Sequence, residues 1–572
     1  MIDTNTLLQK LRLYVTLLEL HDENEFKIRT YQNAIFQAEK NNYALAEMPL
    51  AQIASLKGIG KSLLSKIEQL RLKGTFDDLE ILLNQTPAGV LQMFKIQGLG
   101  KKKIQTLWKE YGYTSLEALY EACENGQIAQ LKGFGEKMQE NIKNALLYQR
   151  TNSAKIFWAD AEPIAHEIKA YLQQKNISPR IEIAGNLRQV VEVLEKIELI
   201  MATDSFAQTH QALALCPELK KNTQHTGIFT WRGTWKDTPH KIEIHLAHKD
   251  SFESQWFMRS ASWQHLTTKL HNGQTLRQIA LQNPTLSEVE IYQKVDLPYI
   301  LPLHRENCHE FRWISQQRYQ PEKLLQLKDL KGILHVHSTY SDGADTLQAI
   351  AEATRKLGYD YLGITDHSKS AFYANGLEEK RIWEQHAEID RLNAQFEDFY
   401  IFKGIEADIL ADGSLDYDYE ILKSFDFVIA SIHSGLKMNL EKATQRLIKA
   451  IENPYTTILG HPTGRIWLKR EGYPIDYRKV IDACAANGVA IEVNASPYRL
   501  DLDWRWIDLA QEKSIKISIN PDAHEIATLQ DVTYGIIFAQ KGGLLPENTL
   551  NAFSREKIAY FFQQKSNKSN KG

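Results

Sequence analysis

The chain has 572 residues, more than one ordinary domain holds, so several domains are expected. Its 68 Lys and Arg against 71 Asp and Glu leave a net charge of -3, which excludes a global positive field, so any nucleic-acid contact must rest on local basic patches. Apolar residues at 43% and charged residues at 24% belong to a folded protein, no run reaches the roughly 18 apolar residues of a membrane span, and four scattered cysteines exclude a disulfide framework or a thiolate zinc site.

The first residues, MIDTNTLLQKLRLYVTLLELHDEN, carry charges through their apolar run and do not read as a signal peptide. A cytoplasmic location with no membrane partner is expected. Residues 1 to about 150 read as helical, with Leu, Ile and Ala at three- and four-residue spacing. One pattern recurs in three copies: LKGIGKSLLSKI (56–67), IQGLGKKKIQTL (96–107) and LKGFGEKMQENI (131–142). Each places Gly-apolar-Gly before a helix and resembles the helix-hairpin-helix motif. The glycines Gly58, Gly60, Gly98, Gly100, Gly133 and Gly135 permit a tight turn that leaves backbone N–H groups free to hold a phosphate without reading a base. Lys61 follows in the first copy and Lys101 and Lys102 in the second, whereas Glu136 makes the third the weakest by charge.

From about 155 to 320 half-buried strands such as RIEIAGNLR and KIEIHLA alternate with helical stretches. RYQPEKLLQLKDL (318–330) reads as a linker. Beyond it, strands and helices alternate as in parallel α/β structure. Seven short apolar strands there each run into metal-type ligands. GILHVH ends in His335 and His337, with Asp342 in the next loop; DYLGITDH ends in His367; YIFKGIEAD carries Glu406. FDFVIASIH ends in His433, TTILGH in His461, VAIEVNAS in Glu492 and Asn494, and KISINPDAH in Asp522 and His524. Strand ends of a parallel barrel converge on one face, and alternate residues of one strand share a face. Nitrogen and oxygen donors without sulfur suit Zn, Mn or Fe. The six histidines, Asp342, Asp522 and Glu406 make nine candidate donors, more than the roughly four of one tetrahedral zinc, so two or three divalent metals are expected, with Glu406 able to bridge. Such clusters hydrolyse phosphate esters.

HVHSTYSDG, ITDHS, GIEADIL, ASIHS, GHPTGR, IEVNASPYRLDL and NPDAH resemble the successive motifs of a PHP domain (polymerase and histidinol phosphatase), a distorted seven-stranded β/α barrel. The resemblance implies the ligand set His335, His337, Asp342, His367, Glu406, His433, His461, Asp522 and His524. Arg465 and Arg470 are candidates to clamp substrate phosphate, weighed against plain surface arginines.

FKIRTYQNA followed by the first hairpin resembles the small N-terminal domain of family X DNA polymerases. There a lysine after the first hairpin can attack an abasic sugar, and Lys66 takes the matching position. The bland reading of Lys66 is a surface or phosphate-contacting lysine. The segments 147–172, 180–203 and 234–247 follow the order of a family X palm, so the resemblance to bacterial family X polymerases with a C-terminal PHP domain covers nearly the whole chain. The palm departs from its family. Asn186 stands for the serine, Gln189 for the second arginine, and Lys196-Ile197-Glu198 for the Asp-x-Asp pair, with Glu243 as the third carboxylate. Lys196 puts a cation where Mg would need a ligand, and catalytic geometry tolerates only about half an ångström of error.

The expected architecture is multidomain α+β and α/β. A first helix-hairpin-helix domain covers 1–90, two further repeats 91–150, a degenerate palm and thumb-like region 151–317, the linker 318–330 and the PHP domain 331–572. The expected function is metal-dependent 3′-5′ exonuclease action on gapped, nicked or single-stranded DNA ends in repair. The rivals are an active gap-filling polymerase with exonuclease, a histidinol-phosphatase-like enzyme and a non-catalytic DNA scaffold. Oligomeric state is silent in the sequence.

Overall fold

A computed structural model describes residues 4–569 apart from 41–42, 57–58, 95, 97–98 and 153. The chain forms two compact units, Met1–Ser153 and Ala154–Gly572. The four cysteines are unpaired. Among the described residues no helix is long and apolar enough to cross a membrane.

The first unit is helical and holds two cores. Leu7, Leu11, Tyr14, Leu18, Tyr31, Ile67, Leu70 and Phe76 fill one, because helices Thr4–Leu20, Glu25–Lys40 and Lys61–Lys73 each turn an apolar stripe inward. Val90, Met93, Ile104, Leu107, Leu119, Phe134 and Ile142 fill the other. Gly60 and Gly100 stand as extended caps of helices Lys61–Lys73 and Lys101–Gln105, with no side-chain cap. Gly133 (φ +85°) and Gly135 (φ +128°) occupy backbone that a side chain would strain.

The second unit begins with a five-stranded mixed sheet. Its strands are β1 (Ile181–Ala184), β2 (Ile197–Thr203), β3 (Leu219–Lys221), β4 (Thr230–Trp235) and β5 (Lys241–His248), in the order β1-β2-β5-β4-β3. The parallel pairing of β2 with β5 sets Glu198 opposite Glu243.

The stretch 318–330 does not behave as a free linker. Leu324, Leu325 and Leu330 are buried, Leu325 N–H donates to Leu544 O (2.9 Å), and Gln540 Nε2 donates to Leu325 O (2.7 Å). The buried Leu324, Leu325 and Leu330 anchor it to the domain that follows, while Leu327 stays exposed.

That domain is a ring of seven parallel strands in sequence order. They are β6 (Gly332–Val336), β7 (Tyr361–Ile364), β8 (Tyr400–Asp408), β9 (Phe427–Ser431), β10 (Thr456–Leu459), β11 (Ala490–Asn494) and β12 (Ile517–Asn520). Helices between them, such as Leu347–Lys356 and Leu440–Ile451, cover the outside, so most strands are buried throughout. The ring closes past the end of β12: His337 N–H donates to Ala523 O (2.8 Å) and Ala523 N–H to His335 O (3.3 Å). Plain strand alternation does not bring His335 and His337 together. The register of β6 on β7 shifts between Ile333 and Val336, and His335 is left-handed at φ +62°. Asp522 is left-handed too, at φ +53°. Strain at both sides of the closure is held by the surrounding sheet.

Candidate metal centre and palm site

The strand ends of the barrel bring all nine predicted ligands into one cluster. Four overlapping groups can each hold a cation: His337, Asp342, His367 and His524; His335, His337 and Asp522; His335, Glu406 and His461; and His367, Glu406 and His433. Glu406 is the hub, buried at the mouth end of β8. Its Oε1 lies 3.0 Å from His461 Nε2, 3.2 Å from His433 Nε2 and 3.3 Å from His335 Nε2. Its Oε2 lies 2.9 Å from His367 Nδ1 and 3.7 Å from His337 Nε2.

The chemistry of this donor set fits divalent cations. His335 Nε2, His367 Nδ1 and Glu406 Oε2 are buried without a hydrogen-bond partner although they face one another. A buried polar atom left so costs about 1–3 kcal/mol, and cations held by His335, Glu406 and His461 and by His367, Glu406 and His433 would satisfy them. Charge crowding is visible in the titration of the cluster. Burial raises Glu406, but the imidazoles of His433, His335 and His367 outweigh it and hold its carboxyl well below the usual range. Asp522 behaves likewise through His335, His337 and Arg499. Burial and the neighbouring rings of His367 and His524 push His337 down to about 3. His433 is lifted to about 10, since Glu406 and Asp408 overcome its burial. When bound there, divalent metals polarise a phosphoryl group and lower the pKa of water.

Outer partners orient the candidate ligands. His335 Nδ1 is 2.5 Å from Glu492 Oε2, and Glu492 also accepts from Asn520 Nδ2 (2.8 Å). His433 Nδ1 meets Asp408 Oδ1, and Asn494 Nδ2 donates to Asp522 Oδ2 (2.9 Å). Such partners fix the tautomer and ring angle of a ligating histidine. Asp408 carried a readable signal, because it follows Glu406 by two residues on one strand face.

The two candidate arginines have separate fates. Arg465 is spoken for: Nε donates to Arg499 O (3.1 Å), Nη1 to Asp503 (3.0 Å) and Nη2 to Leu500 O. It builds the loop rather than offering a free clamp. Arg470 donates from Nε and Nη2 to Gly464 O (2.9 and 2.7 Å), and its burial and the nearby Arg499 lower its pKa. The cation that touches a ligand is Arg499, whose Nη1 is 2.6 Å from Asp522 Oδ2 while its buried Nε has no partner. Its loop position gave no periodic signal.

At the palm, the ammonium of Lys196 lies between both carboxylates, 3.0 Å from Glu198 Oε1 and 2.7 Å from Glu243 Oε2. Arg232 Nε adds 2.7 Å to Glu243, and His245 Nε2 adds 3.0 Å to Glu198. Glu198, Glu243 and His245 are close enough to hold a cation, but the tethered ammonium already neutralises that point. Gly185 (φ +65°) is required where it stands, since a Cβ would lie 2.1 Å from Glu198 Oε2. Asn186 and Gln189 line a cleft of about 510 Å³ beside Glu198, together with Arg259 and Trp263. Arg188, beside Gln189, pairs with Glu288 through Nη2 (2.9 Å) and lies 3.7 Å over the Trp256 ring.

In the first unit, Lys61 and Lys102 are exposed, and Lys101 is half exposed and pairs with Glu19 (2.5 Å). A Cβ at Gly60, Gly100, Gly133 or Gly135 would meet nothing within 4 Å. Gly58 and Gly98 lie outside the described residues. Lys66 is no surface lysine. It is 7% exposed, pairs with Asp78 (2.5 Å) and has the rings of Tyr14, Phe76 and Tyr31 within 5.4, 5.4 and 6.0 Å.

Comparison with known proteins agrees with this layout. Residues 334–496 match the PHP domain, 4–76 a helix-hairpin-helix domain, and 90–146 a SAM-like helix-hairpin-helix tandem. Asp522 and His524 lie beyond the PHP match. A protein of Bacillus subtilis named DNA polymerase/3'-5' exonuclease PolX is 35% identical over 98% of this chain and 99% of its own length. A probable phosphatase of a Thermoanaerobacter species is 30% identical over 41% of this chain and 95% of its own length, and one of Caldanaerobacter subterraneus is 28% identical over 40% and 90%. With hairpin modules ahead of a PHP barrel and end-to-end identity to PolX, the chain belongs to the PolX family, bacterial family X polymerases that carry a C-terminal PHP domain.

Proposed function

We propose that this chain is a cytoplasmic DNA-repair enzyme whose barrel trims DNA 3′ ends by metal-dependent phosphodiester hydrolysis. The observation that carries the reading is Glu406 ringed by five histidines, in a chain whose full-length relative is named a 3'-5' exonuclease. Zn, Mn or Fe suits the nitrogen and oxygen donors, in two or three positions. His335, His337 and Asp522 would hold one such ion, with Glu492 fixing His335. Arg499 stands beside Asp522 to meet an anionic substrate oxygen.

The hairpin modules support DNA as the partner. Glycines at open caps let a phosphate approach the backbone, and Lys61 and Lys102 add charge. Gapped, nicked and single-stranded ends are the forms proposed. A phosphatase reading draws on the barrel-only relatives, but it leaves the hairpin modules without a use. Lys66 is assigned to the core of its domain rather than to abasic-site cleavage, since its amine is engaged by Asp78.

The test is Mn²⁺-supplemented digestion of a 5′-labelled single strand and of a gapped duplex. Wild type is expected to give a descending ladder, and a His335→Ala, His337→Ala variant none. DNA bound by wild type without any ladder would leave a scaffold in place of a nuclease.

The palm is proposed not to polymerise. Lys196 supplies the positive charge that Mg would supply, and it does so without open coordination sites. Primer extension across a one-nucleotide gap with Mg²⁺ or Mn²⁺ is expected to show no templated product. Clear extension that disappears in Glu198→Ala would overturn this.

A further inference from the structure

The loop after His367 holds two aromatic side chains in open solvent: Phe372 is 86% exposed and Tyr373 63%. Rings of this size are normally buried, since burial of one is worth about 1.5–3 kcal/mol. The loop is not loose. Ser368 Oγ and Ser370 N–H donate to Asp416 (2.7 and 2.9 Å), Lys369 N–H donates to the Tyr417 hydroxyl (3.1 Å), and that hydroxyl donates to Leu377 O. Asn375 Nδ2 donates to Tyr340 O and Ser341 O, each at 3.3 Å. A Cβ on Gly376 would lie 2.0 Å from Ser368 O, so the loop crosses closely over itself.

These rings stand at the metal cluster. The Tyr373 ring centroid is 6.5 Å from that of His367, and Phe372 packs edge-on against Tyr373 at 6.0 Å. A rigid aromatic pair beside a phosphoesterase centre has a natural ligand: a nucleobase one sugar away from a phosphate. Base stacking on aromatic side chains is worth about 1–3 kcal/mol and tolerates any base.

We propose that Phe372 and Tyr373 form a stacking platform for the terminal unpaired base of a DNA strand whose phosphodiester lies in the metal cluster. The assignment rests on the nuclease reading and names its substrate, a DNA end with an unpaired base and not a small phosphate monoester.

The experiment compares oligonucleotides that end in a normal 3′ nucleotide or in an otherwise identical abasic one, with Mn²⁺. Wild type is expected to favour the base by about tenfold or more in kcat/KM, the scale of one stacking contact. Phe372→Ala with Tyr373→Ala is expected to bring that ratio near one, and Tyr373→Phe to keep it. In chelator, a 3′-terminal 2-aminopurine is expected to lose fluorescence on binding wild type but not the double alanine variant. An equal base preference in wild type and the alanine variant would overturn the platform alone. No nucleotide release by wild type from any strand would overturn the nuclease reading, and the platform with it.

Discussion

Glu406→Gln is expected to abolish phosphodiester hydrolysis while leaving the barrel folded. The substitution keeps size and shape but removes the charge that the imidazoles of His433, His335 and His367 converge on. Glu406 belongs to two of the four cation groups, so losing its charge weakens two positions at once. Metal ions contribute several kcal/mol of transition-state stabilisation, and each 1.36 kcal/mol is tenfold in rate, so kcat is expected to fall by about a thousandfold. Bound metal per chain, measured after dialysis, is expected to fall with it, because Asp342 and Asp522 are the carboxylates that remain in the groups. Unchanged metal content together with unchanged kcat would sink the bridging role. Unchanged metal with lost activity would move Glu406 from holding cations to orienting substrate.

The clustering of the nine candidate ligands was legible because its information is local. Apart from Asp342 in the loop after β6, each candidate ligand sits near the end of a short apolar strand, and the convergence of strand ends in a parallel barrel does the rest. What was not legible depends on loops and on distant pairing. Arg499 reaches Asp522 from a segment with no periodicity, whereas Arg465, nearer to His461 in sequence, is consumed by the backbone of that same segment. Simple alternation also misdescribed β6, where a left-handed His335 adjusts the strand to the closure with Ala523. The compensation lies in the neighbouring strands, which one strand's pattern does not contain.

Lys66 and Lys196 show two sides of the same limit. The burial of Lys66 was readable: Leu63, Lys66, Ile67 and Leu70 occupy the i, i+3, i+4, i+7 stripe of their helix, and all four are buried. Reading the lysine by its charge alone suggested a surface position. For Lys196, the misplaced charge was evident in the sequence, but its two-sided pairing required β5 beside β2, which brings Glu243 opposite Glu198. The exposed Phe372 and Tyr373 carried no signal, because an aromatic pair in a loop reads as core until its surroundings are known.

Arg305→Met is expected to destabilise the second unit by about 3–5 kcal/mol, the cost of breaking a buried ion pair from one side. Arg305 is fully buried and holds Glu288 with both terminal nitrogens, at 2.9 and 3.0 Å, while its Nε donates to Ile300 O (2.9 Å). The rings of Phe257, Tyr299 and Tyr292 surround it at 5.2, 5.4 and 5.5 Å, so no water can replace the lost charge. Burial pushes Glu288 up, yet Arg305 and Arg188 bring it down to about 2. Removing Arg305 strands that carboxylate with Arg188 and the Tyr299 hydroxyl (3.1 Å). The denaturant midpoint is the measurement, with an unchanged slope required for a pure stability effect. Adding Glu288→Leu together with Arg188→Met should recover part of the loss, since no member of the buried cluster is then left unpaired. If both variants unfold where wild type does, the pair is not structural.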